Sequence, residues 1–404
     1  NTQSLSISSG YNSLTTFKKS YDYKGGKLDF IGIDDGTRKL PSGLPDVKSF
    51  RGAPPSDQVD AAKLMKNNWA INEVNSTSPS LGLQYTFGRT INLGGKELGT
   101  IFGLTYNRDL KISKSIRREF DEPVNNEKPL QQFELTDNTY STNILAGAIA
   151  GVFYKVDDNN KLGFKTIYNI NSDDKVVLRD GIRDFSQNDK ILEKSSLRYF
   201  TENRLSSNQL SGDHYFTKSK VKIKWIGGYS NIIRSIPDMR RMLYSRNYNP
   251  TAAPEEPEPE YTAQIQTSGT SPSSGGNIFH SLSNEKIISL NYEVSYPFQI
   301  NKIKNDLKVG GFHQKRTRSF DARQLGFTRY NKGSIRFDNN LLSLPEDEIF
   351  SESNMGVMDN GKAGFKLQEG TKLNDSYTAS SFLNAAFAML DNKLSDKFRL
   401  IWGV

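Results

Sequence analysis

The stretch P-S-L-G-L-Q-Y-T-F-G-R-T-I, residues Pro79 to Ile91, decides the fold class. Leu81, Leu83, Tyr85, Phe87 and Ile91 fall on one side of an extended chain, and Ser80, Gly82, Gln84, Thr86, Gly88 and Thr90 on the other. Side chains of a strand alternate with a period of two, so this is a strand with one apolar and one polar face. The pattern recurs in Phe102, Leu104 and Tyr106, in Leu162, Phe164 and Tyr168, and in Val221, Ile223, Trp225 and Tyr229. It returns from Ile288 to Phe298 and closes with Phe398, Leu400, Trp402 and Val404. The spacing predicts eleven strands, near residues 3–13, 79–92, 97–113, 140–156, 161–179, 197–217, 220–235, 278–299, 306–328, 376–391 and 396–404.

The connections sort into two sets. Asn92 to Lys96, Asp157 to Asn160, Thr217 to Lys220, Asn301 to Lys304 and Asp391 to Ser395 are short and carry the residues of tight hairpins. Between them lie long connections, near 14–78, 114–139, 180–196, 236–277 and 329–375. Compact soluble domains rarely hold structureless loops beyond about 15 residues. Outer-membrane barrels do, with short turns at the periplasmic rim and long loops outside. A soluble sandwich or propeller is the competing architecture, but it needs a turn every 8–12 residues or so, and several of these strands are longer. The reading is therefore an all-β chain, an antiparallel transmembrane β-barrel in the bacterial outer membrane. Within the loops, residues 56–67 read as a short surface helix capped by Ser56. Thr251 to Glu260 reads as an extended acidic, proline-rich segment, and Ser268 to Gly276 as a Ser/Gly-rich one.

Composition fits a wall more than a core. Only 35% of the 404 residues are hydrophobic, yet 11% are aromatic. No apolar run reaches the roughly 18 residues of a membrane helix. With no cysteine there is no disulfide or thiolate chemistry. The net charge is +8, but the cations are scattered, which argues against a nucleic-acid partner.

Tyr21-Asp22-Tyr23-Lys24-Gly25-Gly26 followed by Leu28 to Pro41, L-D-F-I-G-I-D-D-G-T-R-K-L-P, resembles a stretch near the start of the barrel in TonB-dependent outer-membrane receptors of the Bacteroidetes type. Leu344 to Phe350, Phe365-Lys366-Leu367, Asp375 to Ala379 and Lys397 to Val404 resemble later parts of that family, in the same order. The resemblance implies a plugged barrel of the 22-stranded size class. It implies active uptake of a scarce nutrient, with TonB–ExbB–ExbD engaged through a plug region. Lipid and lipopolysaccharide would be neighbours, with a surface lipoprotein lid where the cargo is a glycan or peptide. The chain is expected to be about half of such a barrel, as one domain over 1–404, without plug, N-terminal domain or the remaining strands. The alternative function is a non-energised barrel, a passive porin or a platform in a secretion or assembly complex.

No catalytic machinery is legible: there is no nucleophile elbow, phosphate loop or zinc-protease motif, and the chain reads as no enzyme and as using no cofactor. Asp34, Asp35, Gly36, Thr37 and Arg38 form the family-like loop. Asp and Gly favour a turn there, with Arg38 paired to Asp34 or Asp35, so the expected role is structural. Asp157, Asp158, Asp173 and Asp174 lack calcium-loop spacing, and His214, His280 and His313 lack metal-ligand spacing, so no metal site is assigned. Arg234 to Arg246, with Arg240 and Arg241, reads as a solvated strand end, the alternative being a patch for an anionic substrate or for lipopolysaccharide phosphates. Trp69, Trp225, Tyr244, Tyr248 and Tyr330 are candidates for interfacial girdles or for a ligand platform. Substrate-binding residues are not legible.

Overall fold

A computed structural model describes residues 1–122, 129–184, 190–248, 258–267, 272, 275–301, 303–395 and 397–404. The chain is built on antiparallel β-structure. In order, the strands are β1 (Thr2–Gly10), β2 (Ser20–Asp22), β3 (Asn72–Val74), β4 (Ser80–Leu93), β5 (Lys96–Phe120), β6 (Gln131–Lys155), β7 (Asn160–Asp184) and β8 (Lys190–Phe216). They continue with β9 (Val221–Tyr248), β10 (Thr262–Ala263), β11 (Asn277–Ile300), β12 (Ile303–Arg329), β13 (Phe365–Glu369), β14 (Tyr377–Lys393) and β15 (Arg399–Gly403). Eleven of the described strands form one meander, β1-β4-β5-β6-β7-β8-β9-β11-β12-β14-β15, each antiparallel to its neighbours. β10 and β13 pair off that path with β9 and β12. Three short helices, α1 (Val47–Arg51), α2 (Pro55–Leu64) and α3 (Glu346–Ile349), lie in the connections. No described helix is long and apolar enough to cross a membrane.

The tight turns form where the sequence supplies residues that tolerate positive φ. Gly94 and Gly95 take φ of 60° and 85° between β4 and β5, and Asn301 takes 46° after β11. Two consecutive positive φ angles give the turn whose twist matches the flanking strands.

Residues directly opposite in an antiparallel pair share a face. Leu5, Tyr85, Leu104, Ala148 and Tyr168 are successive partners across β1, β4, β5, β6 and β7. The apolar positions of the sequence thus align into one band near the short-turn end. Among the described residues no second layer covers it: Ile7, Leu83, Leu104, Phe164, Leu210, Ile288 and Leu290 are each 41–69% exposed.

The core sits at the other end. Phe50, Val59, Ala61, Ala62 and Trp69 from the first long connection join Leu341, Leu342, Ile349, Phe350 and Phe365 from the last. Together they cover Met242, Ile278, Leu325 and Phe327 on the far ends of β9, β11 and β12. Phe350 stacks on Phe327 with ring centroids 4.2 Å apart and meets Trp69 at 5.0 Å.

The strands outrun the sequence reading. β5 reaches Phe120, β6 starts at Gln131, β7 reaches Asp184, β8 starts at Lys190 and β9 reaches Tyr248. The expected loops 114–139 and 180–196 are therefore largely strand, 236–277 is strand over about its first third, and the contrast between long and short connections nearly vanishes between β7 and β8. Charged residues interrupt both faces of these segments, so hydrophobic period gives no clean signal there. Cross-strand ion pairs line them instead, including Arg118–Glu134 at 2.6 Å, Arg179–Asp137 at 2.6 Å and Arg183–Glu193 at 3.0 Å. The surface helix starts at Pro55, with Pro54 at the cap and no side-chain cap bond, so Ser56 is not the cap. It is not free on the surface, since Gln58, Val59, Ala61 and Ala62 are buried. Most of 251–260 and 268–276 lies outside the described residues.

Candidate functional site

The family-like loop folds against the middle of β7 and β8, at Ile170, Ser172, Asp174, Phe200 and Glu202. Gly32, in the left-handed region at φ 80°, ends a short 3₁₀ turn. A Cβ there would come within 2.6 Å of the Ser172 hydroxyl, so only glycine lets the loop approach the sheet this closely. Asp35 accepts the backbone N–H groups of Lys27 at 2.8 Å and Thr37 at 2.9 Å, and Asp34 accepts that of Gly36 at 3.2 Å.

Arg38 is the buried centre of this loop. Its two terminal nitrogens donate to both carboxylate oxygens of Asp29, at 2.7 and 2.6 Å. Asp34 and Asp174 follow at 3.5 Å each. The guanidinium lies 4.2 Å from the Phe200 ring centroid and 5.6 Å from that of Tyr23. The pairing expected with Asp34 or Asp35 is thus mainly a pairing with Asp29, nine residues back, with Asp34 secondary and Asp35 engaged elsewhere. A bidentate clamp between planar groups outcompetes the nearer but poorly aimed acids.

Asp174 lies fourteen residues along β7 from Asn160, under the loop that carries Arg38. Burial pushes its carboxyl up to about 6, against the opposing pull of Arg38. One of its oxygens is buried without a partner. A raised acid pKa means that the folded state holds the proton more tightly. Stability is then greatest below about pH 4, falls as pH rises toward 6, and stays reduced above that. Holding a carboxyl at about 6 instead of about 4 weakens the fold by roughly 3 kcal/mol at neutral pH. Asp174→Asn is expected to slow amide exchange in residues 21–41 at pH 7.5 and to change it little at pH 4. Equal effects at both pH values would remove the burial argument.

A β-bulge builds the neighbouring part of the site. The register of β9 slips against β8 between Tyr199 and Glu202, and against β11 between Phe279 and Ser281. Pro237 lies in that slip; it has no N–H to give the ladder and is tolerated there. Below it, the odd residues of β9 share the apolar face; above it, Asp238, Arg240 and Met242 do, because Arg240 stands opposite Arg198 and Ile278. Arg240 is buried, with Nε donating to Asp238 at 3.0 Å and one terminal nitrogen donating to the Lys66 carbonyl at 2.8 Å. It lies 5.2 Å from the Trp69 ring, and Arg198 lies 5.5 Å from the same ring. Arg198 in turn donates to Glu346 of α3. Arg240 is therefore no solvated strand end. The sequence signal was Pro237, a proline inside an otherwise continuous strand.

His280 faces the same spot from β11. Burial lowers its pKa to about 4, so the ring is neutral at physiological pH. Nε2 is buried without a hydrogen-bond partner. Between these residues and the loop lies a cavity of about 290 Å³. Arg38, Arg240, Asp238 and His280 form its inner wall, Leu40 and Met65 an apolar side, and Lys24, Lys39 and Lys66 an exposed mouth.

Other candidates scatter. Asp157 closes a turn by accepting from Asn159 and Asn160, Asp158 pairs with Lys155, and Asp173 pairs with Lys175. His214 is hydrogen-bonded to Asn160 at 2.8 Å and accepts from the Trp225 indole at 3.2 Å; His313 meets Asn384 at 2.8 Å. Among the described residues no group of three or more potential ligands is arranged to hold a metal ion. Trp69 and Tyr330 are buried in the loop cluster, and the Tyr244 hydroxyl donates to the Leu344 carbonyl at 2.8 Å, so these three form no girdle. Arg246 pairs with Glu258 and stacks on Tyr261.

The fold and site define a class no finer than an antiparallel β-wall with an uncovered apolar band and a folded cap over one end. Comparison with protein families, with curated proteins and with solved structures finds no match.

Proposed function

We propose that the chain is wall and outer cap of a bacterial outer-membrane β-barrel that takes up a scarce nutrient with energy relayed by TonB. The observation that carries the membrane part is the uncovered apolar band. A water-facing sheet would hide such a face, whereas lipid is its natural neighbour. The opposite face, with Gln84, Thr105, Asn169, Gln209, Asn291 and Lys308, would line the lumen. Trp225, Tyr296 and Phe298, near the short-turn end, suit an interfacial girdle.

Adjacent substitutions separate the faces. Leu104→Arg should reduce barrel stability by roughly 2–4 kcal/mol, whereas Thr105→Arg, one residue on, should cost little. Urea titration of the protein folded into lipid vesicles measures both. Similar costs at the two positions would sink the membrane reading.

Support for energised uptake comes from the family-like segments 21–41, 344–350, 365–367, 375–379 and 397–404, all of which lie in the cap or in the closing strands. The test is growth of a deletion strain on single iron, glycan and peptide sources, with and without a protonophore. Loss of one source, restored by the gene only while the membrane is energised, is the expected result. Restoration that ignores the protonophore would point to the passive porin.

A further inference from the structure

The Arg38–Asp29 clamp also fixes what flanks it. Asp29 stands between Leu28 and Phe30, in the 3₁₀ turn Asp29–Ile31 that buries none of its residues. Besides Arg38, the Asp29 carboxylate accepts the Gly26 N–H at 2.8 Å. The Leu28 carbonyl accepts the N–H groups of Ile31 at 3.0 Å and Ile33 at 3.3 Å. The turn is thus held from both sides, yet Phe30 is 61% and Leu28 38% exposed. A lone exposed apolar side chain needs no explanation; two on a clamped turn at one particular height of the wall do.

That height is given by two contacts. The Tyr106 hydroxyl donates to the Phe30 carbonyl at 2.6 Å, and a Cβ on Gly32 would lie 3.2 Å from Ile170. Tyr106, Ala146 and Ile170 are successive partners across β5, β6 and β7, so the turn lies on one row of the sheet. The next row toward the short turns is Leu104, Ala148 and Tyr168, on the same face, in the exposed apolar band. The two rows are roughly 7 Å apart along the strand. Leu83, opposite Tyr106 on β4, is exposed as well. From Leu162 to Ile170 the apolar face of β7 runs for about nine residues, the length that crosses the hydrocarbon of a bilayer. Leu28 and Phe30 therefore stand at the upper rim of the band.

We propose that Leu28 and Phe30 enter the outer leaflet from outside the wall and make this loop a membrane anchor. Acyl chains surround the two side chains, and an anionic headgroup meets Lys27. The proposal rests on the membrane reading of the band. Continuity selects lipid as the occupant, since the two side chains extend the band by one row on the same face. Charge agrees locally: Lys27 adjoins Leu28 and is exposed, and so are Lys24 and Lys39 of the same loop. The loop's exposed acids are engaged, Asp22 by Asn72 and Asp35 by the N–H groups of Lys27 and Thr37. An apolar tip beside lysines suits an anionic bilayer surface, with the lysine stem along the apolar part and its charge among the headgroups. Such an anchor sets the height of the cap above the bilayer, and the clamp keeps its tip in place.

Nitroxide labels on the full-length protein, folded into vesicles of phosphatidylcholine and phosphatidylglycerol, test it; the 404 residues contain no cysteine to compete. Labels go at Phe30→Cys, at Leu104→Cys on the band and at Lys63→Cys, exposed on α2. Oxygen concentrates in hydrocarbon and a polar nickel chelate in water, so the ratio of their collision rates reads depth. The ratio at Phe30 should lie near that at Leu104 and well above that at Lys63. A ratio equal to that at Lys63, with Leu104 lipid-like, would overturn the anchor alone. Water-like values at both Leu104 and Phe30 would sink the membrane reading with it. Protection of the Phe30 label from both reagents would put a protein on the tip in place of lipid and overturn the proposal. Phe30→Trp reads the same point without a label. Its added emission should shift to the blue in vesicles and be quenched by bromine on the acyl chains; an unshifted, unquenched indole would overturn the anchor. Lys27→Glu should lower the Phe30 ratio in anionic vesicles and leave it unchanged in zwitterionic ones, and equal ratios in the two would overturn the headgroup contact.

Discussion

Replacing Arg38 by Met should release residues 21–41 from the sheet. The substitution keeps most of the volume beside Phe200 and Tyr23 but removes the cation that, among the described residues, pairs with Asp29, Asp34 and Asp174. Breaking a buried pair by deleting one partner costs about 3–5 kcal/mol, because the remaining charges are left uncompensated in a poorly hydrated place. The ladders of the strand meander do not run through this loop, so the loss should be local. Amide exchange should accelerate across 21–41 and across the middle of β7 and β8, while their short-turn ends stay protected. Asp35→Asn is the control, since Asp35 is exposed and accepts from Lys27 and Thr37 of the same loop without touching Arg38's carboxylate partners or the sheet. Unchanged protection in the Arg38→Met protein would show that packing by Tyr23 and Phe200 holds the loop without the ion cluster.

The second large effect concerns the aromatic cluster that joins the first and last long connections. Phe350 touches Phe327, Trp69 and Phe365, with centroids 4.2, 5.0 and 5.2 Å away. Phe350→Ala removes a ring from a closed core and leaves a cavity, worth about 3–5 kcal/mol. Because the cluster ties residues 50–69 to residues 341–367, both connections should become protease-sensitive together. Phe382→Ala, on the exposed band at 66% exposure, should leave the cap intact. Cleavage of one connection without the other would mean that the two halves of the cap fold independently.

Coupling between these two regions follows from Trp69. It packs in the aromatic cluster while Arg198 and Arg240 lie against its ring. Loosening the cluster by Phe350→Ala should therefore also disturb Arg240, and with it the cavity beside Arg38.

The strands near the short turns were legible because every second residue is apolar there, and alternation is a local property of the chain. The eleven-strand meander follows from that alternation, and so do its tight turns at Gly94-Gly95 and Asn301. The far halves of β5 to β9 were not legible, because charged residues such as Lys114, Asp137, Arg179 and Glu193 interrupt both faces, and only pairing with a neighbour makes them strand. Likewise the sequence places Asp34, Asp35 and Arg38 in one turn, but Asp29, Asp174 and Phe200 come to Arg38 only when loop and sheet meet. His280 and Arg240 are forty residues apart and share a cavity because one extra residue at Pro237 turns β9 over. Local periodicity determines which residues face which way within a strand; what they face is set by register, bulges and the loops that fold back, and those are properties of the whole chain.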